Sequence, residues 1–419
     1  MENVKRAVVA VLRLIKLKPP LQEQEELSSE EIEAFSAKIR RNRRSLPAAS
    51  SRVALITSSA GVPHLLASTN YSLSIIEGLL QNGVDARLIA TQQRKLPVLN
   101  DSLLMSDIFI PAFSKRIYSE QLLQDVFHSQ RFDHVLSISA PIKQMAAQAQ
   151  LIRSAGASHI HYSGESPVRV FPDEEEREQF IRLVRESFDG ILTVSDYLRD
   201  YWVGQGFSKK EICVFRVPAR EDVFHRRSSH SIGNHAMYVG NLSHGEVDDL
   251  LVITRLVLSD IKDFTLSIFA DADSDRRKQL ETRIAEMGLQ DSISINSALS
   301  LEDLANKEVS ADVLLLPRRS GEFSKAGFPN KMGEYLMSGT PVVYSDVGEI
   351  REVIGDERAF FVEADNPGAF AKRLVEVLSD TSSSRQIGYA GRRWALENVG
   401  SRRVAELMLA WMDDLKAQR

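Results

Sequence analysis

The chain has a single cysteine among its 419 residues, which excludes an intramolecular disulfide bond and fits a reducing compartment. Cys213 lies in the apolar run ICVFRV, and we interpret it as a buried structural thiol rather than a nucleophile. Basic residues are not in excess either. The net charge of −5 argues against nucleic acid as a main partner.

Long uncharged apolar segments are also missing. No run of about 18 such residues occurs, so we expect no transmembrane helix. No A-x-A-like cleavage pattern follows the N-terminal apolar segment, which argues against a secretory signal. Together with the single cysteine, these features predict a cytoplasmic protein.

Metal-binding patterns are missing as well. No spacing of histidine and cysteine residues suggests a metal site. Residues 271–275 (DADSD) lack the glycine and the distal glutamate of a calcium loop. We therefore expect neither a metal ion nor another cofactor.

The first 50 residues differ from the rest of the chain. In residues 1–18, four cations fall within an arc of about 100° on a helix, with aliphatic residues to one side. These cations are Lys5, Arg6, Arg13 and Lys16. The pattern is typical of a helix in an anionic membrane interface, here at the inner membrane face. A helix docked on the chain's own surface or on a partner is the alternative.

Strand-like and helix-like segments alternate from residue 52 onward. The strand-like runs are residues 53–57, 85–90, 108–110, 134–138, 159–162 and 190–194, then 236–239, 265–269, 292–295, 313–316, 341–344 and 360–362. This alternation predicts an α/β fold with two Rossmann-like, doubly wound parallel sheets facing each other across a cleft. We expect helices to end at Gln81 and to begin after Ser195, and a long last helix over residues 386–416.

Residues 327–354 (GFPNKMGEYLMSGTPVVYSDVGEIREVI) are the most informative segment of the chain. Pro329 fits the first position of a helix, and Gly339 fits its end. The amide groups of Asn330 and Lys331 would then point out of the helix start, where a phosphate binds favourably. Glu334 lies one turn further on. A phosphate seat beside a carboxylate suits a nucleotide-sugar.

Further cations and glycines are predicted near that helix start. Arg318, Arg319 and Lys325 follow the strand-like run 313–316, and with Lys331 they provide the fixed positive charge that a departing diphosphate needs. Residues 240–245 (GNLSHG) follow another strand-like run and form a candidate phosphate loop. Solvated surface charge and a simple glycine turn are the alternatives.

The second half of the chain resembles the donor-binding domain of the retaining glycosyltransferases of family four, which have the GT-B fold. The resemblance is carried by YVGNLS, ADVLLLP, GFPNKMGEYLMSGTPVV and SDVGEIREVI, with looser matches in the first half. It implies that Glu334 is the second glutamate of the E-x7-E motif, which bonds the donor ribose, and that Lys331 contacts the diphosphate. The residue patterns and the resemblance together give the predicted donor-binding residues, which are Gly240, Asn241, His244, Arg318, Lys325, Gly327, Phe328, Pro329, Asn330, Lys331 and Glu334.

Three positions depart from the family pattern. Ala326 stands where the first glutamate of E-x7-E is expected, and Asn241 and His244 stand where the family has an arginine and a lysine. Two customary cations beside the diphosphate are therefore missing. Lys325, Arg318 or Arg319 are candidates to replace them.

Residues in the loops at strand ends of the first half are candidates for the acceptor side. They are Gly61, His64, Ser139 and Glu165. Glu165 has the chemistry to orient an acceptor hydroxyl or to act as a base, and a salt bridge is the alternative reading. His64 has the right side chain for acid–base work.

The residues and the resemblance together predict a glycosyltransferase, and the resemblance implies the hexosyltransferase type. We expect it to move a sugar from a nucleoside-diphosphate-sugar to a glycan or lipid-linked acceptor, as in polysaccharide biosynthesis, and the resemblance implies retention of configuration. The candidate catalytic residues are Lys331, Glu334 and Glu165. The alternatives are a catalytically weak scaffold of a glycan-assembly complex and a nucleotide-sugar epimerase.

The predicted domain organisation has four parts. They are a basic segment and linker at residues 1–50, an acceptor domain at 51–225, a donor domain at 226–385 and a C-terminal helix at 386–419 that packs back toward the acceptor domain.

Overall fold

The computed structural model describes most of the chain beyond residue 50. The described residues are 51–57, 67–90, 109–111, 113–114, 117–118, 120–139, 142–224, 233–242, 245–271, 274–297, 299 and 301–418. The N-terminal segment 1–50, Gly61, His64, His244 and the boundary between residues 225 and 226 lie outside this set. The predictions made for them stay predictions.

Nine of the described strands lie before residue 220. They are β1 Arg52–Thr57, β2 Asp85–Ala90, β3 Phe109–Pro111, β4 Phe113–Ser114, β5 Ile117–Tyr118, β6 His134–Ser139, β7 Ser158–Ser163, β8 Gly190–Thr193 and β9 Ile212–Val214. Seven of them form one sheet in the order β3-β2-β1-β6-β7-β8-β9, and β4 pairs with β5. β1 runs parallel to β2 on one side and to β6 on the other. This reversal of strand order beside β1 is the mark of a doubly wound sheet.

A second sheet contains the remaining described strands. They are β10 His235–Asn241, β11 Thr265–Asp271, β12 Ile293–Asn296, β13 Val313–Leu316, β14 Val342–Asp346 and β15 Phe360–Glu363. Their order is β12-β11-β10-β13-β14-β15, and every neighbouring pair is parallel. The strand order reverses between β10 and β13. In such sheets, ligands bind beyond the carboxyl ends of the strands at this reversal.

Helices connect most of these strands. Their bounds are Ala67–Gln81, Glu120–Ser129, Ile142–Ser154, Pro167–Val170, Glu174–Ser187, Asp196–Gly204, Glu246–Asp260, Ser274–Glu286, Leu301–Ser310, Glu322–Ala326, Asn330–Ser338, Ile350–Ile354, Pro367–Ser379, Thr381–Asn398 and Ser401–Ala417. A 3-10 turn covers Lys209–Glu211. None of the helices in the described part of the chain is long and apolar enough to cross a membrane.

The predicted strands have counterparts in the structure because apolar runs become buried strands. All four side chains of β13 are buried, for example. The run around Cys213 forms β9, which the sequence analysis did not predict as a strand. Cys213 is half-buried, and burial raises the pKa of its thiol to about 12, which fits a structural role.

The chain divides into two compact units that do not coincide with the two sheets. One unit contains the described residues up to Tyr162, together with Glu175–Leu192 and the chain end from Leu409. The other contains Ser163–Glu174 and Thr193–Met408. The segments around β9 and the whole second sheet therefore belong to the same unit.

The single long helix predicted over residues 386–416 is wrong. The structure has two helices, Thr381–Asn398 and Ser401–Ala417, with a break at Val399 and Gly400. The break exists because the amide of Ala219 donates to the carbonyl oxygen of Val399 (2.8 Å), and the amide of Ser401 donates to that of Ala219 (3.2 Å).

The end of the second of these helices packs on the first sheet. Asp413 lies 3.3 Å from the Nε2 atom of His134, which begins β6, and the ammonium of Lys416 lies 2.6 Å from Asp133. Gly190 of β8 faces the side chains of Trp411 and Leu415.

Candidate functional site

The helix Asn330–Ser338 has its ends defined by Pro329 and Gly339. Gly339 ends the helix in the left-handed conformation (φ 75°), as predicted. Pro329 lies one position before its predicted place: it precedes the helix instead of being the first helical residue, because its ψ of 129° is extended. Its carbonyl oxygen accepts the amide of Met332 (2.9 Å). The amides of Asn330 and Lys331 have no acceptor within the helix.

This helix is tightly packed beyond its first turn. All of its residues from Met332 to Ser338 are buried. The amide of Val239 in β10 donates a hydrogen bond to the hydroxyl of Tyr335 (2.8 Å). Gly333 packs so closely on the backbone that an added Cβ atom would lie 3.3 Å from the carbonyl oxygen of Val217. These contacts fix the helix against β10 and against the segment around Val217.

Lys331 and Glu334, which were predicted to bind the diphosphate and the ribose of the donor, contact each other. The ammonium of Lys331 forms an ion pair with Oε2 of Glu334, one helical turn further on. The Lys331 side chain is 17% exposed and that of Glu334 is 8% exposed. A ligand would therefore meet a cation and a carboxylate that already neutralise each other.

A second carboxylate, which the sequence did not predict for this site, lies near this pair. Glu308, in the helix Leu301–Ser310, is completely buried, and its Oε1 atom lies 3.8 Å from the ammonium of Lys331. Neither of its carboxylate oxygens has a hydrogen-bond partner among the described residues. The hydroxyl of Thr340 donates to its backbone carbonyl oxygen (2.8 Å), which ties this helix to the turn after Gly339.

Burial dominates the electrostatics of this cluster. Burial raises the pKa of Glu308 to about 8, with Glu334 adding to the increase and Lys331 opposing it. Burial alone would lower the pKa of Lys331, yet the carboxylates of Glu334 and Glu308 outweigh it and leave that pKa raised. Lys331 is therefore a cation at neutral pH, and Glu308 is largely protonated.

Arg318 and Arg319 follow β13 as predicted, but both are paired with carboxylates of the helix Glu246–Asp260. Arg318, 14% exposed, lies 3.0 Å from Glu246, which also accepts the hydroxyl of Tyr238 (2.9 Å). Arg319, half-exposed, makes two hydrogen bonds of 2.8 Å to Asp249. These ion pairs hold the strand end against the helix. A diphosphate would have to compete with carboxylates for either guanidinium group.

Lys325 and Ala326 end the short helix Glu322–Ala326. Lys325 is exposed and makes no ion pair with any residue that the structure describes. It is therefore the predicted cation most available to a ligand. Ala326 is buried, and its carbonyl oxygen accepts the hydroxyl of Ser195 at 2.5 Å. The Ser195 hydroxyl also accepts the amide of Leu198 (3.2 Å), which confirms its predicted N-cap role.

The glycine loop lies at the carboxyl end of β10, where the strand order of the sheet reverses. Gly240 and Asn241 are the last residues of β10, and Gly245 precedes the helix Glu246–Asp260. An added Cβ atom at Gly245 would collide with the guanidinium of Arg319. Gly245 is thus needed for close packing, in addition to any role beside a phosphate.

Phe328 and Gly327 lead into the helix Asn330–Ser338. Phe328 is buried, and the guanidinium of Arg216 lies 5.8 Å from its ring centroid. Arg216 in turn pairs with Glu349 (2.6 Å). Glu349 also accepts the amide of Asp196 at the start of the helix Asp196–Gly204 (2.8 Å), where a carboxylate is favoured by the helix dipole. The start of the helix Asp196–Gly204 therefore contacts the turn after β14 through Glu349.

The acceptor-side candidates are only partly described. Ser139 ends β6. Glu165 is half-exposed and forms a 2.5 Å ion pair with Arg169, which fits its salt-bridge interpretation. A different carboxylate, that of Glu322, accepts hydrogen bonds from the hydroxyl groups of Ser166 (2.6 Å) and Tyr197 (2.9 Å).

One of the residues that the sequence did not predict for the site, Glu308, lies in a recognisable sequence pattern. In LEDLANKEVS the apolar positions Leu301, Leu304 and Ala305 define a helical stripe, and Glu308 is the next position on it. A carboxylate on an apolar stripe needs a partner. Glu322 and Glu349 had no comparable signal, because their partners are more than a hundred residues away in sequence.

The comparison with protein families decides what kind of domain carries this site. Residues 233–380 match the family model described as glycosyl transferases group 1. This region, about a third of the chain, is similar to the group 1 glycosyltransferases. It contains Gly240, Glu308, Lys325, Lys331 and Glu334, so the predicted resemblance is confirmed.

Curated proteins similar to parts of the chain are named as glycosyltransferases. A protein of Mycolicibacterium hassiacum named MMP alpha-(1->4)-mannosyltransferase is 33% identical over 132 residues, 31% of this chain and 31% of that protein. A D-inositol 3-phosphate glycosyltransferase of Streptomyces avermitilis is 28% identical over 117 residues, 28% of this chain and 24% of that protein. The alignments thus span well under half the length of these relatives.

Solved structures match nearly the whole chain. Anabaena HepE, in complex with UDP and glucose, has a TM-score of 0.69 at 12% identity, covering 87% of this chain and 100% of that one. Sucrose-phosphate synthase from Thermosynechococcus elongatus has a TM-score of 0.67 at 16% identity, covering 88% and 100%. At such identities the likeness shows the fold. The predicted α/β fold of the GT-B type is confirmed.

Proposed function

We propose that the chain is a retaining glycosyltransferase that moves a sugar from a nucleoside-diphosphate-sugar to a glycan or lipid-linked acceptor. The observation that carries the proposal is the Lys331–Glu334 pair at the start of a packed helix, inside the region that is similar to the group 1 glycosyltransferases. Solved structures of the same fold that bind UDP or UDP-glucose support a nucleotide-sugar as the donor.

In this proposal Lys331 meets the donor diphosphate. The amides of Asn330 and Lys331 and the positive end of the helix dipole lie with it at the helix start. As the sugar leaves, negative charge grows on the diphosphate, and fixed donors of this kind stabilise it without rearrangement. Lys325 is the second cation that we assign to this task, since it makes no ion pair with the described residues.

Glu334 is assigned to the donor ribose. When Lys331 turns toward the diphosphate, one oxygen of Glu334 becomes free to accept a hydroxyl group. A carboxylate that accepts hydroxyl groups makes short, charge-assisted hydrogen bonds. The same movement thus prepares both residues for the donor. Positioning is then the main contribution of the site to the rate.

A second candidate is a catalytically weak partner subunit in a glycan-assembly complex. The observation that favours it is that Arg318 and Arg319 form ion pairs with Glu246 and Asp249. In addition, Ala326 stands at the position of the first glutamate of E-x7-E. A site with few free cations is expected to bind a nucleoside diphosphate weakly or not at all, and to turn over slowly.

Binding of nucleoside diphosphates separates these possibilities. Purified protein is titrated with UDP and GDP by calorimetry, and then incubated with UDP-sugars and GDP-sugars with and without a glycan acceptor. We expect binding of one diphosphate and its release from the matching donor when acceptor is present. No binding of either diphosphate would favour the scaffold, and epimerised sugar from donor alone would indicate an epimerase.

The metal and membrane expectations are part of the proposal. We expect transfer to continue at an unchanged rate after dialysis against EDTA, because in this proposal Lys331 and the helix amides, and not a metal ion, stabilise the negative charge of the diphosphate.

We also propose that residues 1–18 hold the enzyme at a membrane surface that carries a lipid-linked acceptor. Sedimentation with anionic vesicles, compared between the full chain and one that starts at residue 51, tests that part.

A further inference from the structure

Glu308 is a buried acid that the proposed transfer does not use. It is completely buried, and neither of its oxygens has a hydrogen-bond partner in the described part of the chain. An ionised carboxylate in such a place carries a large desolvation penalty. Among the described residues, the cation near it is the ammonium of Lys331, at 3.8 Å, which is too long for a hydrogen bond.

Lys331 thus lies near two carboxylates. Its ammonium is in contact with Glu334, and Oε1 of Glu308 lies 3.8 Å from it, beyond hydrogen-bond distance. A small rotation of the lysine side chain moves the ammonium from one carboxylate to the other. The position of Lys331 at the helix start therefore depends on the charge of Glu308.

We propose that Glu308 is a positioning residue for donor binding, which sets the place of the Lys331 ammonium by competing with Glu334 and with the ligand for it. Neutral Glu308 leaves Lys331 available at the helix start. Ionised Glu308 draws Lys331 inward, away from a diphosphate. The inference rests on the proposed donor site and adds a residue that controls it.

Among the described residues, the ionisable groups that act on Glu308 lie on the helix packed against its own. From the packed helix Asn330–Ser338 these are Lys331, Glu334 and Tyr335, and the charge of Glu308 contributes to raising the pKa of Tyr335. On its own helix, Glu302, Asp303 and Lys307 are exposed. A proton on Glu308 is therefore controlled by burial and by the two neighbours that matter for the donor.

The sign of the pH dependence follows from the raised pKa. Glu308 is protonated below a pKa of about 8 and ionised above it, while Lys331 stays charged. Donor affinity should fall as pH rises above 8, by at most about tenfold per pH unit for one linked proton. The diphosphate itself is fully ionised in this range.

The test is a pH series of nucleotide binding. UDP and GDP are titrated into the wild-type chain, Glu308→Gln and the control Glu302→Gln at several pH values from 7 to 9, where the bases of both nucleotides are still mostly neutral. Glutamine keeps the shape of the neutral acid. We expect wild type and Glu302→Gln to lose affinity above pH 8, and Glu308→Gln to bind as well at pH 9 as at pH 7.

Urea unfolding without nucleotide tests the buried proton separately. A pKa raised in the folded state stabilises the fold fully below the unfolded value and loses that stabilisation as pH rises through about 8. The unfolding midpoint of wild type should therefore fall from pH 5 to pH 9 relative to that of Glu308→Gln. Equal slopes for the two proteins would contradict an acid that holds its proton at neutral pH.

The outcomes distinguish the positioning role from the donor site itself. If wild type binds a diphosphate at pH 7 and Glu308→Gln shows the same loss of affinity above pH 8, Glu308 does not position Lys331, whereas the donor site stands. If wild type binds neither diphosphate at any pH, the donor site is wrong and the positioning role with it.

Discussion

Lys331 and Glu334 form an ion pair across one turn of a buried helix, at the helix end where amide groups are free to bind an anion. The two residues that the resemblance assigns to the diphosphate and to the ribose are therefore held together before any donor arrives. Binding exchanges this internal pair for contacts with the ligand. The affinity for a nucleotide depends on how much better the ligand contacts are.

Glu334→Gln should weaken nucleotide binding. The change keeps the size of the side chain and removes a charge-assisted hydrogen bond, worth roughly 1.5–3 kcal/mol, or about 10-fold to 150-fold in affinity. Calorimetric titration with the diphosphate that binds wild type measures it. Glu352→Gln, an exposed glutamate on the helix Ile350–Ile354, is the matched control. Unchanged affinity in Glu334→Gln would remove Glu334 from the site.

Lys331→Gln should slow turnover more than it weakens binding. A fixed cation at the leaving diphosphate contributes on the order of 10²–10³ to kcat. The measurement is the rate at which diphosphate is released from the donor in the presence of acceptor. Lys372→Gln, on the exposed side of the helix Pro367–Ser379, provides the control. A normal kcat in folded Lys331→Gln protein would show that the lysine has no part in the chemistry.

Arg318→Ala should destabilise the fold far more than Arg319→Ala does. Removing Arg318 leaves Glu246 buried without its cation, which costs about 3–5 kcal/mol. The pair of Arg319 with Asp249 is half-exposed, and such pairs contribute about 0–1 kcal/mol. Urea unfolding of both variants gives the comparison. Similar losses in the two would mean that the Glu246 pair is not a structural ion pair.

Gly388→Ala should destabilise the contact between the helices Thr381–Asn398 and Asn330–Ser338. An added Cβ atom would lie 2.5 Å from the carbonyl oxygen of Gly339, and overpacking of this kind costs about 1–3 kcal/mol. Gly204→Ala is the control, since nothing lies within 4 Å of its added Cβ atom. Thermal unfolding should separate the two variants. Equal melting temperatures would show that the helices can move apart at no cost.

The sequence predicted what local patterns determine. Buried strands such as β13 and β14 appear as apolar runs, and Gly339 marks a helix end because its left-handed conformation favours glycine. Glu334 was predicted one helical turn beyond the helix start, and the family resemblance implied the donor-binding roles of Lys331 and Glu334.

What the sequence did not predict depends on distant partners. The helix predicted over residues 386–416 breaks at Val399 because Ala219 bonds to it, and no pattern near Val399 records that partner. Arg318 looked like a ligand cation because its partner, Glu246, is 72 residues away. The sequence of the helix Leu301–Ser310 places Glu308 on an apolar stripe, but it does not show that Lys331 is the cation near it.

The most direct measurement is a crystal structure of the protein with the nucleoside diphosphate that binds it. We predict that the diphosphate lies at the amides of Asn330 and Lys331, with the Lys331 ammonium turned toward it, and that a ribose hydroxyl lies within hydrogen-bond distance of Glu334. A nucleotide bound elsewhere, with the Lys331–Glu334 pair unchanged, would contradict the assigned site.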